Sequence, residues 1–217
     1  MKIDVAILNQ GWIRTELVER MVKISHDPRY DLRITYPTGS PVAHNRNTIC
    51  KAFREGDGDF LLMTDDDQFW QKNPLDAVEM DLDVLGFPTH IFQPKIEPVK
   101  PIRWNVVKLP EEQEGVIREV KGIGSGSLLI ARRVLIHPKL RAPFLDRFNE
   151  EGIRQASEDL WFCERAREAG FKIWMAANNP CHHIKPVNLM YMDLLVKGEV
   201  SEHTFGNAGR RPGGATG

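Results

Sequence analysis

No apolar run in this sequence approaches the roughly 20 residues that a membrane-spanning helix needs, so the chain carries no hydropathic mark of a transmembrane protein. Cysteine is scarce. Cys50, Cys163 and Cys181 are odd in number and form no CxxC pair, which argues against both a disulfide framework and a structural zinc cluster. Excess charge is also missing: 29 Lys and Arg stand against 30 Asp and Glu, without the global basic field of many nucleic-acid binders. The amino terminus, Met1-Lys2-Ile3-Asp4-Val5, enters an apolar run at once, and no signal peptide is expected there. These absences predict a soluble cytoplasmic protein, with one domain over residues 1–196 and a flexible glycine-rich tail over 197–217.

What is present is alternation. Ile3 to Leu8 reads as a strand closed by the polar turn Asn9-Gln10-Gly11. Between Ile13 and Ile24, apolar residues recur at Leu17, Val18 and Met21 with the helical period. Asp31 to Tyr36 reads as a second strand, Ala43 to Phe53 as a helix, and Phe60 to Thr64 as a third strand. Such β-α-β-α-β order predicts an α/β fold with a mostly parallel central sheet. Further on, strands are expected near Asp83 to Phe87, Trp104 to Lys108, Val116 to Val120, Ser127 to Ile130 and Phe171 to Met175. Helices are expected from an N-cap at Ser157 to Ala169, and from Val187 to Val196.

Five places carry residues suited to chemistry. Asp65-Asp66-Asp67 follows the third strand directly, and carboxylates this close repel one another unless a cation or solvent compensates them. Phe69 stands where a phosphatase of the haloacid dehalogenase type wants Thr or Val and where a calcium loop wants Asp or Asn. The residues alone leave two readings, a metal site or a solvated loop. Glu158-Asp159 in the first turn of a helix suits the helix dipole, or supplies a general base if it faces a cleft. His182 and His183 are adjacent, so at most one reaches a shared metal. The segment Gly122-Ile123-Gly124-Ser125-Gly126 lets backbone approach a ligand closely or forms a hairpin turn, and fits neither a dinucleotide nor a Walker fingerprint. Arg46, near a helix start, reaches anionic oxygens or a surface partner.

The order of these parts is more specific than any one of them. Phe60-Leu61-Leu62-Met63-Thr64-Asp65-Asp66-Asp67-Gln68, then the glycine segment running into Ser127-Leu128-Leu129-Ile130, then Glu158-Asp159-Leu160-Trp161 ahead of Gly170-Phe171, resembles the GT-A glycosyltransferases, family-2-like enzymes above all. The resemblance covers roughly residues 3–190. It implies a single GT-A-like (Rossmann-like) α/β/α sandwich and a nucleotide-sugar donor. It also implies Mn²⁺ or Mg²⁺ on Asp65, Asp67 and His183, and donor contacts from Asn9, Arg46 and Asp66. By the same resemblance Asp159, with Glu158 beside it, is the base or acceptor-orienting carboxylate, and Gly124, Ser125, Gly126 and Trp161 line the acceptor side. The turn Asn9-Gln10-Gly11-Trp12 departs from the family's usual Pro-Thr/Ala/Ser start. Alternatives are a sugar-phosphate nucleotidylyltransferase, a non-catalytic nucleotide-sugar or glycan binder, and a phage-type enzyme that glycosylates modified DNA bases. For the last, Arg132, Arg133, Lys139, Arg141, Arg210 and Arg211 are the candidate phosphate contacts.

Overall fold

The computed structural model describes residues 1–39, 41–93, 101–111, 113–187 and 189–200. The first half alternates as β1 (Lys2–Leu8), α1 (Thr15–Ser25), β2 (Asp31–Thr35), α2 (Val42–Glu55) and β3 (Phe60–Asp65). Then come β4 (Gln68–Trp70), a 3-10 helix Pro74–Met80, and β5 (Val84–Gly86). Short strands β6 (His90–Phe92), β7 (Ile102–Trp104), β8 (Val106–Val107), β9 (Ile117–Glu119) and β10 (Gly122–Ile123) lead to β11 (Ser127–Ala131) and α3 (Arg132–Leu135). The hairpin β12 (Arg147–Phe148) and β13 (Arg154–Ala156) precedes α4 (Glu158–Glu168), β14 (Ile173–Ala176), β15 (Cys181–His183) and α5 (Leu189–Lys197).

Seven strands form one sheet in the order β2-β1-β3-β11-β5-β14-β9. Strands β1, β2 and β3 are mutually parallel, β11 runs against both β3 and β5, β14 runs with β5, and β9 runs against β14. Five of the seven therefore point one way, and the mostly parallel sheet is as expected. β3 is buried on both faces, as a strand covered by helices on each side must be. Leu61 and Met63 pack with Ile49 and Phe53 of α2 and Phe162 of α4. Phe60 and Leu62 pack with Leu17, Met21 and Ile24 of α1 and Leu75 of the 3-10 helix.

The first five elements match the sequence pattern to within two residues at each end. The middle differs. The strand expected near 104–108 is two strands interrupted at Asn105. The glycine segment does not form a simple strand pair: β10 pairs with β8, while β11 enters the main sheet between β3 and β5. Strands β4 and β15 were not anticipated, because three-residue strands carry no measurable period.

By internal contacts the chain divides into a larger unit, Met1–Thr89 with Asn105–Ile184, and a smaller one of His90–Trp104 with the residues from Lys185 on. In the smaller unit β6 pairs with β7, the rings of His90 and Trp104 lie 3.7 Å apart, and Tyr191 of α5 packs 5.7 Å from Phe92. The glycine-rich tail beyond residue 200 lies outside the described residues. Among the described residues no helix is long and apolar enough to cross a membrane.

Candidate active site

The acidic turn sits at the carboxyl end of β3, where parallel strands deliver side chains to a sheet's edge. Asp65 closes the strand, Asp66 and Asp67 turn, and β4 begins at Gln68. β4 then pairs with β15, with Gln68 opposite His183 and Phe69 opposite His182. The Ile184 amide donates to the Asp67 carbonyl at 3.0 Å and extends that ladder by one bond. This pairing brings His183 Nε2 to 3.5 Å from Asp67 Oδ1, with the two side chains 11% and 12% exposed. Side chains alternate along a strand, so His182 goes elsewhere. It is exposed and stacks on Phe69 at 4.8 Å.

Asp66 is tied into the first loop. Its amide donates to the Leu8 carbonyl at 2.9 Å, its carbonyl accepts from Arg14 N at 3.2 Å, and its Oδ2 accepts from Gln10 N at 3.3 Å. Asn9 is equally committed: Oδ1 accepts from Gly11 N at 3.0 Å, and Nδ2 donates to the carbonyls of Ile7 and Pro37. Gly11 holds φ +98°, a left-handed conformation that suits glycine. In this geometry Asn9 and Asp66, two of the three residues expected to meet the donor, shape the loop.

Arg46 is 3% exposed. Its Nη2 donates to Asp65 Oδ1 at 2.8 Å and to the Ser125 carbonyl at 3.3 Å, and its Nη1 donates to Glu158 Oε1 at 2.8 Å. Its position was legible in one respect. Arg46 falls on the stripe Ile49, Cys50, Phe53 at i+3, i+4 and i+7, which is the buried face of α2. A charge on that stripe requires internal partners.

The glycine segment runs beside the end of β3. The Asp65 amide donates to the Gly126 carbonyl at 2.8 Å. A Cβ at Gly126 would collide with Gln68 Nε2, and one at Gly124 would come within 2.7 Å of Asn105 Nδ2. Gln68 and Asn105, which sequence reasoning did not single out, are the side chains that pack on this segment. Asn105 Oδ1 accepts from Thr89 N at 2.9 Å, and its carbonyl accepts from Gly124 N at 2.8 Å. Nothing in a lone Asn within a proline-rich stretch signals this. Gln68 is buried, and its Oε1 has no hydrogen-bond partner among the described residues.

At the start of α4 the two carboxylates differ. Glu158 accepts from Arg46 and, at 3.2 Å, from Arg154, which also pairs with Asp146 at 2.6 Å. Burial pushes the Glu158 carboxyl above its ordinary value of 4.5, the Asp159 charge adds to the rise, and Arg46 opposes it. Asp159 Oδ1 accepts from Ser157 Oγ and from Leu160 N. Ser157 thus sits at the N-cap as expected, but its hydroxyl serves Asp159 and caps no amide. Trp161 is half-buried, with the Arg147 guanidinium 4.9 Å above its ring.

Of the basic residues considered for DNA, Arg132 donates to the carbonyls of Phe53, Arg54, Gly56 and Gly58, closing the end of α2. Arg133 pairs with Asp81 and Asp83. Lys139 and Arg141 are exposed, and Arg210 and Arg211 lie outside the described residues. The three thiols are buried and pushed up to about 12 by burial, so none is suited to act as a nucleophile.

A divalent cation is what the acidic turn and its histidine would fit. Among the described residues no three His, Cys, Asp or Glu side chains already form a cage. The donor set of Asp67 and His183, with Asp65 two residues earlier at the end of β3, has the oxygen and imidazole chemistry of Mn²⁺ or Mg²⁺ sites that leave coordination positions for a ligand.

The fold is shared with solved proteins. A197 from STIV superposes with a TM-score of 0.58 at 21% identity, over 86% of this chain and 87% of that one. The inositol-1-phosphate CTP transferase from T. maritima superposes with a TM-score of 0.50 at 10% identity, over 90% and 96%. GalNAc-T7 with UDP, GalNAc and Mn2+ gives 0.49 at 10% identity, over 86% of this chain and 44% of that one. No protein-family model and no curated protein matches the sequence.

Proposed function

We propose that this protein is a metal-dependent glycosyltransferase that moves a sugar from a nucleotide-diphosphate donor to an acceptor hydroxyl. The observation that carries the reading is the approach of His183 to Asp67 across the β4–β15 ladder, at the carboxyl end of β3. Two residues 116 positions apart (183 less 67) supply a carboxylate and an imidazole to one point, beside a loop shaped by Asn9 and Asp66.

Asp67 and His183 would hold the cation, with Asp65 at the end of β3 as the third donor. A divalent ion bound there supplies positive charge to the diphosphate oxygens as they leave. Asp159 Oδ2, the oxygen not engaged by Ser157 and Leu160, would take the proton of the acceptor hydroxyl. The sugar C1–O bond to phosphate breaks and a C1–O bond to the acceptor forms. Trp161 and the Gly124-Ser125-Gly126 segment would line the acceptor side.

Calorimetric titration with a panel of nucleoside diphosphates, with and without Mn²⁺, tests the assignment. Asp67→Ala should lose metal-dependent nucleotide binding, whereas Asp159→Asn should keep it and lose transfer. Unchanged binding in Asp67→Ala would sink the metal assignment, and transfer by Asp159→Asn would sink the base.

A further inference from the structure

Arg46 joins three separate parts of the larger unit: Asp65 at the end of β3, Ser125 in the glycine segment, and Glu158 at the start of α4. Glu158 is held in turn by Arg154, and Arg154 by Asp146. A line of alternating charge therefore runs from the acidic turn to the β12–β13 hairpin. A guanidinium taken out of water keeps its charge at tolerable cost only with such partners. Its planar fork also fixes direction: Nη2 faces Asp65 while Nη1 faces Glu158, so one rigid group relates the end of β3 to the start of α4.

We propose that Arg46 is a positioning residue for cation binding, an inference that rests on the metal-dependent reading of this site. It touches neither cation nor substrate. It fixes the orientation of Asp65, two residues before Asp67 at the end of β3, and through Glu158 it anchors the helical turn that carries Asp159.

Two effects oppose each other at Asp65, and their signs differ. As a bare charge Arg46 repels a cation, so its removal alone would strengthen binding. As the partner that orients a ligand its loss weakens binding, by about 10- to 100-fold for such outer partners of metal sites. Arg46→Lys keeps the charge and loses the fork. Arg46→Gln removes the charge.

Mn²⁺ binding to the full chain, followed through the paramagnetic resonance of free Mn²⁺, decides between the two effects. Both variants should bind at least about tenfold more weakly than wild type, with circular dichroism and a thermal melt showing that each is folded. If Arg46→Gln does not fold, Arg46→Lys alone carries the test. Wild-type affinity in folded Arg46→Lys, or tighter binding in Arg46→Gln, overturns the positioning role and leaves the metal reading standing. A wild-type chain that binds no Mn²⁺ overturns both. A role in folding alone would lower the melting temperature and leave the affinity of the folded protein where it was.

Discussion

Two acidic clusters meet in the candidate site, Asp65-Asp66-Asp67 after β3 and Glu158-Asp159 at the start of α4, and both are divided. In the first, Asp66 is bound to the backbone of the first loop, Asp65 gives its Oδ1 to Arg46, and Asp67 lies beside His183. In the second, Glu158 is spent on Arg46 and Arg154, while Asp159 keeps one oxygen clear of its helix. The means differ. A tight turn sends successive side chains in different directions, so amides of a neighbouring loop can claim the middle one. At the helix start the two side chains point about 100° apart, and side-chain cations claim Glu158 while bonds within its own turn hold Asp159. A run of acids is therefore not one ligand set, because each carboxylate is assigned by whatever compensates it.

The comparison breaks hardest at Glu158. Glu158→Ala leaves the buried Arg46 with Asp65 as its remaining carboxylate, and stripping one partner from a buried ion pair costs about 3–5 kcal/mol. Asp159→Asn keeps the shape of a residue whose bonds are local to its helix, and should cost less than about 1 kcal/mol. Urea unfolding of the two variants measures the gap. Equal losses would mean that the pair is not divided as its hydrogen bonds imply.

The amino-terminal half of this arrangement was legible and the rest was not, for a physical reason. β1 through β3 and their helices declare themselves by period, because each element is long enough to show a face. The acidic triplet was legible as a place, at the end of a buried strand. Its division was not, because the partners that divide it lie far away in sequence: Gln10 for Asp66, Arg46 for Asp65, His183 for Asp67. The ladder that delivers His183 is three residues long on each side and left no pattern to read. Arg46 read as a residue near a helix start, although its place on the apolar stripe of α2 marked it as buried.

Within the first cluster the contrast is smaller and can be sharpened. Asp66→Ala removes the acceptor of Gln10 N and should cost about 1–3 kcal/mol, the range for a part-buried bond to a charged group. Asp67→Ala should cost less in stability and more in Mn²⁺-dependent nucleotide binding. Thermal melts paired with calorimetry place each variant on both scales. If Asp67→Ala proves the more destabilising, the turn is organised around Asp67 and the assignment of Asp66 to the loop fails.

The smallest expected effect lies in the pH dependence of Glu158. Its folded value is raised above 4.5, first by burial and then by Asp159, so the folded chain binds a proton there more readily than the unfolded chain. The sign follows from linkage. This contribution to stability is fully present below 4.5 and is lost as pH rises through the raised folded value. One such group can tilt the stability curve by at most about 1.4 kcal/mol per pH unit, over the interval between the two values alone. Glu158→Gln keeps an acceptor for Arg46 and cannot titrate, so urea unfolding above pH 4.5 should show a flatter curve for the variant than for wild type. Identical slopes would mean that Arg46 and Arg154 cancel the cost of burying this carboxylate. The α4 cluster would then be compensated as fully at Glu158 as the first cluster is at Asp66.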